Sequence, residues 1–199
     1  MRNIEKAISR AIILHHGQVR KGDKQTPQIT HPVEVAMIVS KYANYEPAII
    51  AAFLHDTVED CNYTLDEVQA EFGTEVRYYV GLLTEDKSIA DYTQRKASNL
   101  GQLRESLSTN RQVYFVKVAD AISNMRSLVG ALKEHGSKVW DKFNATKNDK
   151  VAYFNAILQD TKGFLPAEVF EEYVGLLKDL EYSETYEKKN IGFVRREEK

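Results

Sequence analysis

Phe53-Leu54-His55-Asp56-Thr57-Val58-Glu59-Asp60 closes the apolar run that begins at Ala48-Ile49-Ile50-Ala51-Ala52, and its reading decides the fold. An unbroken apolar run of this length predicts a buried helix rather than a surface one. Ending such a helix in His55, Asp56, Glu59 and Asp60 buries four ionisable groups, which is costly unless something compensates them. A divalent cation does so, taking carboxylate oxygens and imidazole nitrogens as ligands. On a helix His55 and Glu59 stand one turn apart, as do Asp56 and Asp60, so all four project to one side. The other reading is a polar helix end with solvated charges. Spacing alone does not decide between them.

The chain has 199 residues, enough for one domain with a full core. Its 43% apolar and 28% charged content is that of an ordinary soluble globular protein. A net charge of −2 gives no general reason to bind nucleic acid or a membrane, so any anion site is local. The apolar runs are too short to span a bilayer, and Met1-Arg2-Asn3-Ile4-Glu5-Lys6 carries no secretory signal. One cysteine, Cys61, excludes an intramolecular disulfide and fits a reducing cytoplasm. Beside the acidic pair, Cys61 reads as a small packing residue rather than a ligand.

Four prolines, ten glycines and no alternating β pattern predict an all-α protein. A first amphipathic helix covers residues 3–16, with Ile4, Ala7, Ile8, Ala11, Ile12 and Leu14 at helical spacing. Residues 17–30 form a polar loop carrying Arg20, Lys21 and Lys24. Pro32 suits the first position of a second helix, with His31 beside its cap and Glu34 in its first turn. A third helix runs from Glu46-Pro47 into the His-Asp stretch. Thr64 and Glu67 form a capping box for a short helix, and Thr74 caps the next. Residues 84–91 read as a mobile charged loop and residues 92–107 as a charged amphipathic helix. The second apolar run, from Val113 to Met125, is strand-like at its start but too long for one, and reads as helix. Helices over 138–160 and 166–181 follow, with their aromatic residues in the core. The expected organisation is a single domain over residues 1–181 and a charged tail over 182–199.

Four candidate metal ligands come from three segments: His31, His55, Asp56 and Asp120. Asp120 interrupts the second apolar run as His55-Asp56 interrupts the first. Two imidazoles and two carboxylates leave room for water in a six-coordinate shell, which suits Mn²⁺, Fe²⁺ or Co²⁺ better than a closed tetrahedral zinc site. Each residue alone has a plainer role open to it. Asp120 can pair with Lys117 or Arg126, and His31 can cap its helix. His15, His16 and His135 read as packing or surface residues.

The blocks Arg20-Lys21-Gly22, Thr30-His31-Pro32-Val33-Glu34-Val35-Ala36, His55-Asp56-Thr57-Val58-Glu59-Asp60, Thr64-Leu65-Asp66-Glu67-Val68, Phe72-Gly73-Thr74-Glu75-Val76 and Val116-Lys117-Val118-Ala119-Asp120 through Asn124-Met125-Arg126-Ser127-Leu128 occur in order over residues 3–130. Together they resemble HD-domain metal phosphohydrolases, in particular the hydrolase domain of the RelA/SpoT family and its small alarmone hydrolases. The resemblance implies an all-helical HD fold, one Mn²⁺ per chain, and removal of the 3′-pyrophosphate of (p)ppGpp by a metal-activated water to give GDP or GTP. By the same resemblance His31, His55, Asp56 and Asp120 match the metal ligands, and Glu59 and Asp60 the catalytic acidic pair. Arg20, Lys21, Asn124 and Ser127 match positions that contact substrate.

Ala121 and Ser123 replace a large basic residue and a His common in the long family members, and Gln28 replaces an aromatic. These changes leave the metal positions intact and alter the surroundings of the base. An adenine alarmone such as ppApp, another nucleotide such as NADPH, or binding of an alarmone without turnover are therefore alternatives. The expected partner is a small-molecule nucleotide, with no nucleic acid and no membrane. An alarmone-making toxin is a further possible partner, and the oligomeric state is open.

Overall fold

The computed structural model describes residues 3–20 and 25–183. Ten α-helices and one 3-10 segment occur among these residues, and no strand beyond an isolated bridge between Val19 and Pro27. The all-α expectation holds. The chain divides inside its eighth helix into two compact units, Met1–Ser123 and Asn124–Lys199. Most of the expected tail lies outside the described residues. No described helix is long and apolar enough to cross a membrane.

The first unit is built around α3 (Glu46–Leu54), whose residues from Ala48 to Leu54 are all buried. It is apolar on every side because α1 (Asn3–Leu14), α2 (Thr30–Tyr42) and α6 (Thr74–Leu83) surround it. On α1 the small residues Ala7 and Ala11 are buried, while Ile12 and Ile13 are 51% and 65% exposed. Ile12 thus departs from the expected stripe, because only the alanine face lies against the core.

α2 begins one residue before His31, so His31 is not the cap and Pro32 sits inside the first turn. Proline is tolerated there because the first-turn N–H groups lack helical partners in any case. After α3 the chain makes a turn at His55-Asp56, and α4 (Thr57–Asp60) follows. α5 (Leu65–Phe72) opens with the expected capping box: Glu67 N–H donates to Thr64 Oγ1 over 3.2 Å, and Thr64 N–H to Glu67 Oε2 over 2.8 Å. Gly73, at φ 91, ends α5 and starts α6. The cap expected from Thr74 is absent because this positive φ, natural to glycine, makes the junction. α7 (Tyr92–Ser106) is capped by the Asp91 side chain, which accepts from Gln94 N–H over 2.8 Å. α8 (Arg111–His135) is the second apolar run, and it is helix throughout.

In the second unit a 3-10 segment, Gly136–Lys142, follows α8. α9 (Lys147–Thr161) starts at a second capping box, Thr146 with Asp149. The helix expected from residue 138 therefore begins later. α10 (Ala167–Glu181) packs on α9 through Tyr173, whose hydroxyl donates to the Phe154 carbonyl over 2.9 Å. Tyr153, Phe154 and Tyr173 are buried as expected, whereas Phe170 is exposed.

Candidate metal centre

The turn between α3 and α4 presents His55 and Asp56 to the N-terminal turn of α2 and to α8. Both turn residues keep right-handed helical backbone angles, and Asp60 N–H still bonds the Asp56 carbonyl over 2.9 Å. The four side chains lie at different depths. His55 is buried, the Asp56 and Glu59 side chains are 24% and 16% exposed, and that of Asp60 is 42% exposed.

His31 Nε2 and His55 Nε2 lie 3.2 Å apart, with the rings edge to face. Asp56 Oδ1 is 3.2 Å from His55 Nε2, and Asp56 Oδ2 is 3.7 Å from His31 Nε2. Asp120, on α8, brings Oδ1 to 3.2 Å from His31 Nε2 and 3.9 Å from His55 Nε2. Three of these residues, His31, His55 and Asp56, offer ligand atoms all within 4.8 Å of one another.

The hydrogen bonds around the rings decide where their lone pairs point. His55 Nδ1 is 2.8 Å from the Ala52 carbonyl, which only accepts, so Nδ1 carries a proton and in the neutral ring Nε2 is the bare nitrogen. Two imidazole nitrogens and two carboxylates thus come together from α2, the α3–α4 turn and α8. This N₂O₂ donor set fits a divalent ion that also keeps water ligands.

The neighbouring carboxylates act on these rings in turn. Burial disfavours a charged His55, yet Asp56 and Asp120 outweigh it and raise the imidazole pKa. Burial pushes the Asp120 carboxyl up, but the His31 hydrogen bond and the Lys117 ammonium hold it well below the usual carboxylate range. Lys117, 3% exposed, places Nζ 3.7 Å from Asp120 Oδ2. Arg126, the other partner considered for Asp120, instead bonds Glu172 over 2.8 Å.

Glu59 and Asp60 are held by the loop that follows α6. Glu85 N–H donates to Glu59 Oε1 over 2.6 Å, and Lys87 Nζ lies 2.5 Å from Asp60 Oδ1 and 2.9 Å from the Glu59 carbonyl. Glu85 itself is gripped by Lys96 and Arg95 of α7. This is the loop expected to be mobile, and its charges anchor it instead. Burial pushes the Glu59 carboxyl up to about 7, reinforced by the Glu85 and Asp56 charges against the Glu85 N–H.

Arg20 sits where Asp56, Asp120 and Glu34 all act on its charge, while burial lowers its pKa. Lys21 lies outside the described residues. Asn124 and Ser127 follow Asp120 on α8, the first half-buried and the second exposed. Lys117, one of the two partners expected for Asp120, is found there, whereas sequence reasoning missed Glu85 and Lys87 as neighbours of the acidic pair. His15, expected in a packing or surface role, is buried with Nδ1 2.8 Å from Gln18 Oε1 and 3.4 Å from Cys61 Sγ.

A family model described as the HD domain matches residues 7–149. The chain belongs to the HD-domain family. The human guanosine-3′,5′-bis(diphosphate) 3′-pyrophosphohydrolase MESH1 is 37% identical to this HD domain over 116 residues, 57% of this chain and 63% of that relative. The match thus spans under two thirds of the relative's length. A solved structure of a Listeria monocytogenes EGD-e protein, lmo0812, superposes with a TM-score of 0.64 at 32% identity, covering 74% of this chain and 96% of that one. A metazoan SpoT ortholog, which hydrolyzes ppGpp and plays a role in starvation responses, superposes with a TM-score of 0.70 at 23% identity. That match covers 89% of this chain and 95% of the other, and it establishes the shared HD fold.

Proposed function

We propose that this chain is a metal-dependent guanosine-3′,5′-bis(diphosphate) 3′-pyrophosphohydrolase, converting (p)ppGpp and water to GDP or GTP and pyrophosphate. The observation that carries the reading is the convergence of His31, His55, Asp56 and Asp120 beside the half-buried Glu59. The activity named for the human relative supports the substrate class.

In this reading the four residues hold Mn²⁺, whose Lewis acidity, when bound, lowers the pKa of water and draws charge from a phosphoryl oxygen. Glu59 keeps Oε1 on the Glu85 N–H, which leaves Oε2 to take up and hand on a proton. A carboxyl raised towards neutrality is suited to that exchange. Asp60, fixed by Lys87, orients the reacting water. Arg20, Lys21, Asn124 and Ser127 bind the nucleotide, with Arg20 clamping phosphate oxygens through its guanidinium fork. A nucleotide substrate and a single cysteine accord with a cytoplasmic enzyme.

The test strips the protein with chelator, restores Mn²⁺ and resolves all products from ppGpp and ppApp separately. GDP with pyrophosphate supports the proposal, and ADP with pyrophosphate moves it to the adenine alarmone. Orthophosphate release points to a simpler phosphatase. Tight binding of ppGpp with no cleavage leaves a binding protein, and the hydrolase reading falls.

A further inference from the structure

His31 and His55 are held in ligand-ready orientation by different means. His55 Nδ1 leans on a backbone carbonyl, Ala52, which no substitution removes. His31 Nδ1 is 2.9 Å from the hydroxyl of Ser123, a residue 1% exposed. That hydroxyl in turn donates to Glu34 Oε2 over 2.7 Å.

We propose that Glu34 and Ser123 form a positioning relay that sets the His31 tautomer and tunes how tightly this centre holds a divalent cation. The inference rests on the metal-centre reading above. An ionised carboxylate only accepts, so the Ser123 hydroxyl proton points to Glu34 and its oxygen lone pair faces His31. In the neutral ring Nδ1 then carries the proton, and Nε2, 3.2 Å from His55 Nε2 and Asp120 and 3.7 Å from Asp56, is the nitrogen left to ligate. Partial negative charge passed from Glu34 through the hydroxyl makes the imidazole a better donor, as carboxylates behind metal-bound histidines do.

The backbone explains why these residues meet. Glu34 stands one turn after His31 on α2, and Ser123 one turn after Asp120 on α8. Each helix therefore presents one candidate ligand and one supporting side chain on the same side. Ser123 is a position where the sequence departs from the long RelA/SpoT members, and its hydroxyl is turned towards α2 by these two bonds. Its role is on the metal side of the site.

The experiment measures Mn²⁺ affinity of the full chain by competition with a metallochromic chelator, for wild type, Ser123→Ala, Ser123→Thr and Glu34→Gln. Ser123→Ala is expected to weaken binding about 10- to 100-fold. Ser123→Thr retains the hydroxyl and stays within about threefold of wild type, and Glu34→Gln falls between them. A ¹⁵N–¹H correlation of the imidazoles in metal-free protein reads the protonated nitrogen directly, and Nδ1 of His31 is expected to carry the proton. Unchanged affinity in Ser123→Ala, or a bare Nδ1 in wild type, overturns the relay while leaving the metal centre standing. No Mn²⁺ binding by wild type overturns both.

Discussion

Glu85 donates its backbone N–H to Glu59 Oε1 across 2.6 Å, tying a loop 26 residues downstream to the acidic pair beside the metal centre. The contact helps hold Glu59 at 16% exposure and leaves only one of its oxygens to other partners. A carboxyl in that setting has a proton affinity set by burial, and this has a thermodynamic consequence.

The Glu59 pKa is raised to about 7 in the fold from an ordinary 4.5. Between those values the folded state binds a proton that the unfolded state does not, so stability falls as pH rises through that window. The stabilisation is complete below pH 4.5 and lost above about pH 7. Glu59→Gln keeps an acceptor for the Glu85 N–H and removes the titration. In metal-free protein the variant should therefore gain on wild type between pH 5 and 8, by on the order of 3 kcal/mol. Urea unfolding at several pH values measures it. A constant difference between the two proteins across that range would place the Glu59 pKa near its ordinary value.

Asp120→Ala should cost both metal and stability. Lys117 is buried with Nζ 3.7 Å from Asp120 Oδ2, and losing one partner of a buried pair costs about 3 kcal/mol. A lowered urea midpoint in metal-free protein, together with lost Mn²⁺ binding, is the expected result. An unchanged midpoint would mean that other groups balance the Lys117 charge.

Much of this architecture is written in local sequence. The apolar run from Ala48 to Leu54 announces a buried helix, and Thr64 with Glu67 announces a helix start. The same logic holds at Thr146 and Asp149, but aspartate in place of glutamate hides the box, and the helix start was placed too early. The four candidate ligands are legible because each polar residue interrupts or borders an apolar segment. Glu85 and Lys87 are not legible, because a charged loop looks solvated until the tertiary fold lays it on Glu59 and Asp60. Ser123 is hidden for the same reason, since its partners lie on another helix.

The anchoring of that loop is itself testable. The Glu85 side chain is 9% exposed and bonded by Lys96 and Arg95, so Glu85→Ala leaves two cations without it and releases the N–H from Glu59. If Glu59 acts on the reacting water, a displacement of about an ångström should lower kcat by about a hundredfold. The donor set is untouched, so Mn²⁺ affinity should stay within about threefold of wild type. Steady-state kinetics beside a chelator competition separates the two effects. Loss of both together would show that the loop supports the metal centre as well.

The metal centre itself makes the last prediction. An ion that binds the folded chain and not the unfolded one stabilises it by about 2.7 kcal/mol at a hundredfold excess over its dissociation constant. For a chain of this size that corresponds to a rise in Tm of roughly 5–10 °C. Wild type melted with chelator and then with Mn²⁺ should show the rise, and His31→Ala, lacking one of the two converging Nε2 atoms, should lose most of it. The two imidazole nitrogens and the Asp120 carboxylate lie within 3.2–3.9 Å of one another, a donor set that a divalent cation can bridge. A melting temperature indifferent to Mn²⁺ in wild type would show that a proton shared among His31, His55 and the carboxylates suffices, and the metal reading would fall.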